Sequence, residues 1–302
     1  MTSSSLPHGW IILNKPAGLS SAQAVGKVRR IFNKIKAGHA GTLDPLASGV
    51  LPIALGEATK TISYVMSAEK SYRFTAVWGA ETQTDDTEGQ VTITSRIIPG
   101  RDDILAVLPE FTGEIQQVPP AYSAVKVNGK RAYALARKHH QDDSTDLPEL
   151  QARNIMIYEL VLEQADTEKA QFRVRTGKGA YIRSLARDLG RRLGSAAHVG
   201  MLERLSVGRF HIDQAISLDS LQQLDYDARS EEAVLPVKTV LDDIPAVALT
   251  AEQAQKLRHG QTIHLADPGA TDAVHLACHD DRPVALTTIC DGICVPVRVF
   301  NL

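Results

Sequence analysis

Residues 36–52 read Lys36-Ala37-Gly38-His39-Ala40-Gly41-Thr42-Leu43-Asp44-Pro45-Leu46-Ala47-Ser48-Gly49-Val50-Leu51-Pro52. Three glycines and two prolines in this stretch argue against a regular helix or a central strand, because both residue types punctuate regular structure. The segment is nonetheless no ordinary hydrophilic loop, for it carries one acid, one histidine and several small apolar residues. Asp44 precedes a proline, which biases its backbone to extended geometry and gives the carboxylate a defined direction. A lone carboxylate on a glycine-rich, partly apolar loop is a candidate nucleophile or general base. It is equally the residue that opens an Asp-Pro turn by bonding its own backbone. The rest of the chain weighs between these readings.

With 302 residues, the chain has room for one large domain and a smaller one. Hydrophobic content of 43% and charged content of 23% fit a soluble globular protein. The net charge of −2 hides a strong segregation. Residues 1–60 hold seven Lys/Arg against two acids, and residues 121–140 hold five basic residues and no acid. Residues 173–209 hold nine basic residues against two acids, whereas 210–250 hold eight acids against two bases. Local basic runs on a nearly neutral molecule suit a phosphate-binding face, although any single run is commonly just solvated surface. The three cysteines, Cys278, Cys290 and Cys294, lie near the C-terminus. Their odd number, with no secretory signal, predicts reduced thiols and a cytoplasmic location. Cys290 and Cys294 near His275 and His279 do not match a zinc spacing, so buried strand cysteines are expected. No 18-residue apolar stretch exists that would span a membrane as a helix. Residues 1–7 read as a disordered leader.

Outward from the opening stretch, Trp10–Leu13 predicts a buried strand. Ser20 or Ser21 predicts the cap of a helix over 21–33, with Ala22, Val25, Val28 and Ile31 or Phe32 inward and Lys27, Arg29, Arg30, Lys34 and Lys36 outward. Leu51–Leu55 reads as a short strand and 59–66 as a brief helix. Tyr72, Phe74, Ala76 and Trp78 alternate in a strand over 70–78. Residues 79–89 form a polar turn-rich segment with too few apolar residues to pack. A small helix over 102–109 and an extended Val118–Tyr122 follow, then a hairpin turning at Asn128-Gly129. Residues 132–139 look helical and 141–150 an acidic loop. Strands at about 153–165 and 170–176 lead to Gly177-Lys178-Gly179 and a helix from Tyr181 to Leu193. Its Ile182, Leu185, Ala186, Leu189 and Leu193 mark one face, and Arg183, Arg187 and Arg191 line another. Strands alternating irregularly with short helices indicate an α+β fold. A capped helix at 249–260 opens a separate β-rich unit over 247–302.

At Gly38-His-Ala-Gly-Thr-Leu-Asp-Pro-Leu-Ala-Ser-Gly-Val-Leu51 the chain closely resembles the active-site motif of the bacterial tRNA pseudouridine-55 synthases, the TruB family. Four further blocks agree in order: Leu13-Asn-Lys-Pro-Ala-Gly-Leu-Ser-Ser21; Lys70-x-Tyr72 with Gly79-x-x-Thr82-x-Thr84-x-Asp86-x-x-Gly89; Pro119-Pro-x-Tyr-Ser-Ala-x-Lys126; and Gly177-Lys-Gly-Ala-Tyr-Ile-Arg-Ser-Leu-Ala-Arg-Asp-Leu-Gly190. The match covers nearly the whole chain. It departs at Asn14, Thr176 and Trp78, where the family often has Asp, Cys and Leu. The implied fold is an α+β catalytic domain over 1–246, with a mixed, mainly antiparallel sheet flanked by helices. A small RNA-binding β domain of the PUA type would occupy 247–302.

The resemblance also implies a reaction: cleavage of the uridine C1′–N1 bond, rotation of the base and rejoining through C5, with no cofactor and no metal. Asp44 would be the nucleophile, attacking C1′ or C6. It must stay ionised in a water-poor pocket, and Arg183 is the family's partner that would offset the desolvation; otherwise Arg183 belongs to a surface stripe. Tyr72 would stack on the flipped uracil, being otherwise a core aromatic. Tyr181 would bond or relay a proton near the base, and Leu202 would line the pocket. His39 would fill the space the nucleotide leaves. Lys126, Lys178 and the Arg183/Arg187/Arg191 stripe would contact phosphates. The expected partner is the T-arm stem-loop of tRNA, bound by a monomer. An RNA-binding or tRNA-folding protein, and a related synthase acting on another RNA, are the alternatives.

Overall fold

In the computed structural model, which describes residues 7–123, 125–127, 129–133, 135–136, 150–226, 229–265 and 273–302, alternation in sequence becomes a sheet. The main strands are β1 (Gly9–Lys15), β2 (Ala37–His39), β3 (Ser48–Leu55), β4 (Lys70–Trp78), β5 (Gly113–Gln117), β6 (Arg153–Ala165), β7 (Lys169–Thr176) and β8 (Ala197–Val207). The order is β1-β3-β8-β4-β7-β6-β5, with short edge pieces completing 11 strands. All pairs along this path are antiparallel except β3–β8. The expected mixed, mainly antiparallel α+β sheet is therefore present. Central β4 turns Tyr72, Phe74, Ala76 and Trp78 to the core and leaves Ser71, Arg73, Thr75 and Val77 half-exposed. Phe74 stacks on Phe172 across the ladder at 5.1 Å between ring centres. Helix α1 (Ser21–Ile31) and helix α2 (Ile182–Arg192) flank this face.

Two local expectations change. Ser48–Pro52 do enter a central strand, because β3 begins three residues before Leu51. Pro52 stands opposite Ile12 in the β1–β3 ladder, but its carbonyl accepts from Ala40 N–H at 2.9 Å, so its nitrogen faces the side away from β1, where β8 pairs with β3 only at Ser48 and Gly49 and β2 only from Ile53. The missing N–H therefore interrupts no ladder. In α1, Ser20 is the cap, and the buried residues are Ser21, Ala24, Val25 and Val28, with Ala22 exposed.

Residues 79–89 are also more ordered than their polarity suggests. Ala80–Thr82 pairs with Val91–Thr94, and Glu81, Thr82, Asp85 and Asp86 are buried. The loop packs through charge rather than apolar area, as the site shows. Lys126–Val127 pairs with Lys130–Arg131 as a hairpin; Asn128 of the expected turn lies outside the described residues. Residues 132–133 and 135–136 are helical; the remainder of the 132–139 helix, the acidic loop up to residue 149 and leader residues 1–6 lie outside the described residues.

The C-terminal unit is a sheet of β9 (Ala246–Ala248), β10 (Ile263–His264), β11 (Val274–His279), β12 (Arg282–Cys290) and β13 (Ile293–Val299), ordered β9-β11-β12-β13-β10. Helix α3 (Ala251–Arg258) is capped by Thr250 and followed by Gly260 at φ +76°. One sheet face shares a hydrophobic cluster with the main domain, where Leu276, Leu286 and Phe300 join Trp10, Phe210, Val237 and Leu241. Lys60 donates to the Val299 carbonyl at 2.7 Å, and Asn301 N–H donates to Glu57 at 2.8 Å. Of the cysteines, Cys294 is buried, Cys278 half-buried and Cys290 exposed, and none of the three is in a disulfide. The expectation of buried strand cysteines thus fails at Cys290, the last residue of β12 before the Asp291-Gly292 turn. Among the described residues, no helix is long and apolar enough to cross a membrane.

Candidate active site

Asp44 lies on the loop between β2 and β3, and its carboxylate opens into a cavity of about 300 Å³. Tyr72, Tyr181, Arg183 and Leu202 line the same cavity, together with Lys70 and Arg204. The turn at Asp44 is made by its main-chain carbonyl, which accepts from Ala47 N–H at 3.1 Å. The side chain is left free for another partner. Arg183 Nε donates to Asp44 Oδ2 at 2.9 Å, with the Arg183 side chain 5% exposed and that of Asp44 33%.

Each of the three nitrogens of the Arg183 guanidinium has an acceptor. Nη1 donates to the Thr84 carbonyl at 2.7 Å and Nη2 to the Tyr122 carbonyl at 3.0 Å, while Asp86 Oδ2 lies 3.6 Å from Nη1. Of the arginine stripe expected to face phosphate, Arg183 and Arg187 are buried and Arg191 is exposed, and each is paired with an acid. Arg187 Nη1 donates to Asp85 at 2.8 Å, and Arg191 forks onto Glu81 at 2.6 and 2.7 Å. Spacing at i, i+4 and i+8 predicts a common face, but the acids it meets come from about a hundred residues earlier. Burial outweighs the Arg187 guanidinium and pushes the Asp85 carboxyl up to about 6. The stripe is a zipper between α2 and the 79–89 loop, with Arg183 at the end that meets Asp44.

Much of the basic excess in 173–209 is neutralised the same way. Arg173 pairs with Glu159 and Glu163, Arg175 with Glu69, Arg192 with Glu110 and Arg209 with Asp242. Lys178 is exposed in the turn between Gly177 and Gly179, at the rim of the cavity. Lys126 lies in the hairpin, and its side chain is outside the described residues. His39 ends β2, half-buried, and its Nδ1 has no hydrogen-bond partner. Burial, aided by Arg204, lowers its pKa from the usual imidazole value.

Several functional supports escaped the sequence reading. Arg204 is 1% exposed and clamps the Asp44 loop through three carbonyls, Val50 at 2.8 Å, Gly41 at 3.1 Å and Thr42 at 3.3 Å. Gly49 makes this approach possible: a Cβ there would stand 2.2 Å from the Arg204 carbonyl oxygen. Ser21 Oγ donates to the Leu43 carbonyl at 2.9 Å and accepts from Leu43 N–H at 2.8 Å, tying α1 to the residue before Asp44. Lys15 is fully buried and donates to the Pro16 and Leu19 carbonyls at 2.9 and 2.7 Å. Burial lowers it to about 8, partly opposed by the Asp44 charge. Lys70 donates to the Met66 and Ala68 carbonyls and is likewise lowered by burial to about 8. Lys15, Ser21, Lys70 and Asp86 all sit in the quoted blocks, so the blocks held a signal for them. Arg204 has none: it reads as one more strand arginine. Among the described residues, no group of three or more His, Cys, Asp or Glu is placed to hold a metal ion.

Residues 29–182 match the model of the TruB family pseudouridylate synthase N-terminal domain, and 183–243 that of the tRNA pseudouridylate synthase B C-terminal domain. A protein of Bradyrhizobium diazoefficiens named tRNA pseudouridine synthase B is 49% identical over 98% of this chain and 86% of its own length. One of Caulobacter vibrioides with the same name is 48% identical over 97% of this chain and 96% of its own. Among solved structures, an H/ACA RNP bound to a substrate RNA containing 2′-deoxyuridine aligns with TM-score 0.71 and 25% identity, over 97% of this chain and 85% of that one. A Cbf5-Nop10-Gar1 complex aligns with TM-score 0.68 and 27% identity, over 93% of this chain and 78% of that one. A buried arginine gripping a carboxylate, in a cavity that Tyr72 and Tyr181 also line, thus sits in a pseudouridine synthase fold. The chain belongs to the TruB family of pseudouridylate synthases and is an isomerase.

Proposed function

We propose that the protein converts uridine 55 in the T-arm stem-loop of tRNA to pseudouridine, with Asp44 as the nucleophile. The observation that carries this reading is the Asp44 carboxylate, the one acid among the described residues that line the cavity, fixed by Arg183 at 2.9 Å beside Tyr72, Tyr181 and Leu202. The full-length likeness to proteins named tRNA pseudouridine synthase B supports tRNA as the substrate.

In this reading the target uridine flips into the cavity and its ring stacks on Tyr72. Asp44 attacks the nucleotide and bonds to it, the C1′–N1 bond breaks, the base rotates and C1′ joins C5; the bond to Asp44 breaks again, the C5 proton leaves and N1 takes up a proton. Atoms and charge balance without an oxidant or a second substrate. Arg183 opposes desolvation of the Asp44 anion. A stacking surface holds a rotating base better than fixed hydrogen bonds do, because every orientation presents the same π face. Tyr181 stands at the pocket wall as a hydrogen-bonding group. His39, at the end of β2, fills the space the nucleotide vacates, and Lys178 contacts backbone phosphate at the rim. Residues 1–246 form the catalytic domain and 247–302 a PUA-type RNA-binding domain in a monomeric, cytoplasmic enzyme. Carbodiimide modification and primer extension on a treated tRNA transcript test the assignment. A stop at position 55 is expected; a stop elsewhere, or none, contradicts it.

A further inference from the structure

We infer that Gln117 is a positioning residue for Tyr181, acting as a one-residue surrogate strand at the mouth of the cavity. The inference rests on the proposed isomerase reading of this site. Gln117 is the last residue of β5 and is 3% exposed. Its Oε1 accepts from the Tyr181 N–H at 2.8 Å, and its Nε2 donates to the Tyr181 carbonyl at 3.1 Å. The side-chain amide therefore pairs with the N–H and the C=O of a single residue, as a neighbouring strand would.

Only an extended residue presents both groups to the same side. Tyr181 is extended, at φ −110° and ψ 114°, although α2 starts at the next residue. It occupies the N-cap position with no side-chain cap bond, where Ser, Thr, Asp or Asn would ordinarily supply one. The bracket thus holds the chain extended at Tyr181 until the first helical turn, which carries Arg183, begins. Releasing it frees the torsions that aim the Tyr181 ring into the cavity. The Gln117 amide is buried and has both partners satisfied, so a substitution also strands the Tyr181 N–H, while the Tyr181 carbonyl keeps its bond from Leu185 N–H at 3.1 Å.

Three chains decide the matter: wild type, Gln117→Met and Gln117→Glu, each with kcat, KM and RNA affinity measured from about pH 6 to pH 8. Gln117→Met keeps the volume and loses both bonds. Its kcat should fall roughly tenfold to a hundredfold at every pH, with RNA affinity within a few-fold. Gln117→Glu keeps the shape, but its ionised form only accepts and opposes the Tyr181 carbonyl. Once protonated it donates and accepts like the amide. Burial raises its titration toward neutrality, so its kcat relative to wild type should recover as the pH falls, whereas the Met ratio stays flat. Hydrogen exchange at residues 178–184 should rise in Gln117→Met whether or not turnover is observed. Wild-type kcat in the Met variant, a pH-flat Glu ratio, a Glu variant that fails to fold at any pH, or unchanged exchange would overturn the inference. Absence of turnover in wild type would instead refute the isomerase reading, leaving the exchange result to decide the bracket.

Discussion

Arg183 reaches Asp44 at 2.9 Å with one nitrogen while its other two hold the main chain at Thr84 and Tyr122. The nucleophile loop, the 79–89 loop and the root of the basic hairpin therefore meet on one guanidinium. A planar fork with fixed donor directions can serve three acceptors at once, which a point charge on a flexible stem cannot.

Arg183→Lys should keep the charge and lose this geometry. We expect kcat to drop about a hundredfold or more, with RNA affinity changed only a few-fold. Single-turnover rates at saturating enzyme, beside filter binding, make the check. Near-normal turnover would mean that charge alone suffices.

Gly49 lies at φ +102° against the Arg204 backbone. Gly49→Ala adds both an unfavourable backbone torsion and a clash with a carbonyl that cannot swing aside. The expected destabilisation exceeds about 2 kcal/mol, read from urea unfolding. Since the same clash pushes the Asp44 loop away from its clamp, activity should fall in the fraction that remains folded.

Asp85 supplies a pH signature for stability. Its folded pKa of about 6 lies above the ordinary carboxylate value of 3.8. The folded state therefore holds the proton more tightly than the unfolded state. This favours folding below about pH 4 and is lost as the pH climbs through 6. Relative to Asp85→Asn, the wild type should lose up to about 2–3 kcal/mol between pH 4 and pH 6.5. Urea midpoints at several pH values read the difference, and parallel pH profiles would refute it.

Lys178 is exposed at the cavity rim. If it contacts a phosphate, Lys178→Ala should weaken RNA binding about equally for different T-arm sequences. It should also reduce the slope of log affinity against log salt by about one. An unchanged slope would remove it from the interface.

How far the sequence foretold this site depends on how local the signal is. The Asp44 loop, the alternating strand at Tyr72 and the helix at Arg183 each carry their pattern within a dozen residues, and each element stands where expected. The zipper does not. Arg187 and Arg191 share a face with Arg183, but nothing near them in sequence names their partners Asp85 and Glu81. Those acids sit in a segment so polar that it reads as solvated. Arg204 is harder still, because a strand arginine looks the same whether it meets solvent or three main-chain carbonyls. Pro52 shows the converse: the local rule against proline in a central strand was sound, and β2 and β8, on the side its nitrogen faces, leave a gap where it falls.

The most direct test of the account compares wild type with Asp44→Asn for tritium release from [5-³H]uridine-labelled tRNA transcript, with RNA binding measured in parallel. The variant keeps the side-chain shape and removes the charge that Arg183 holds. The account predicts release by wild type, none by Asp44→Asn, and affinities within a few-fold of each other. Comparable release from the variant would contradict Asp44 as the nucleophile.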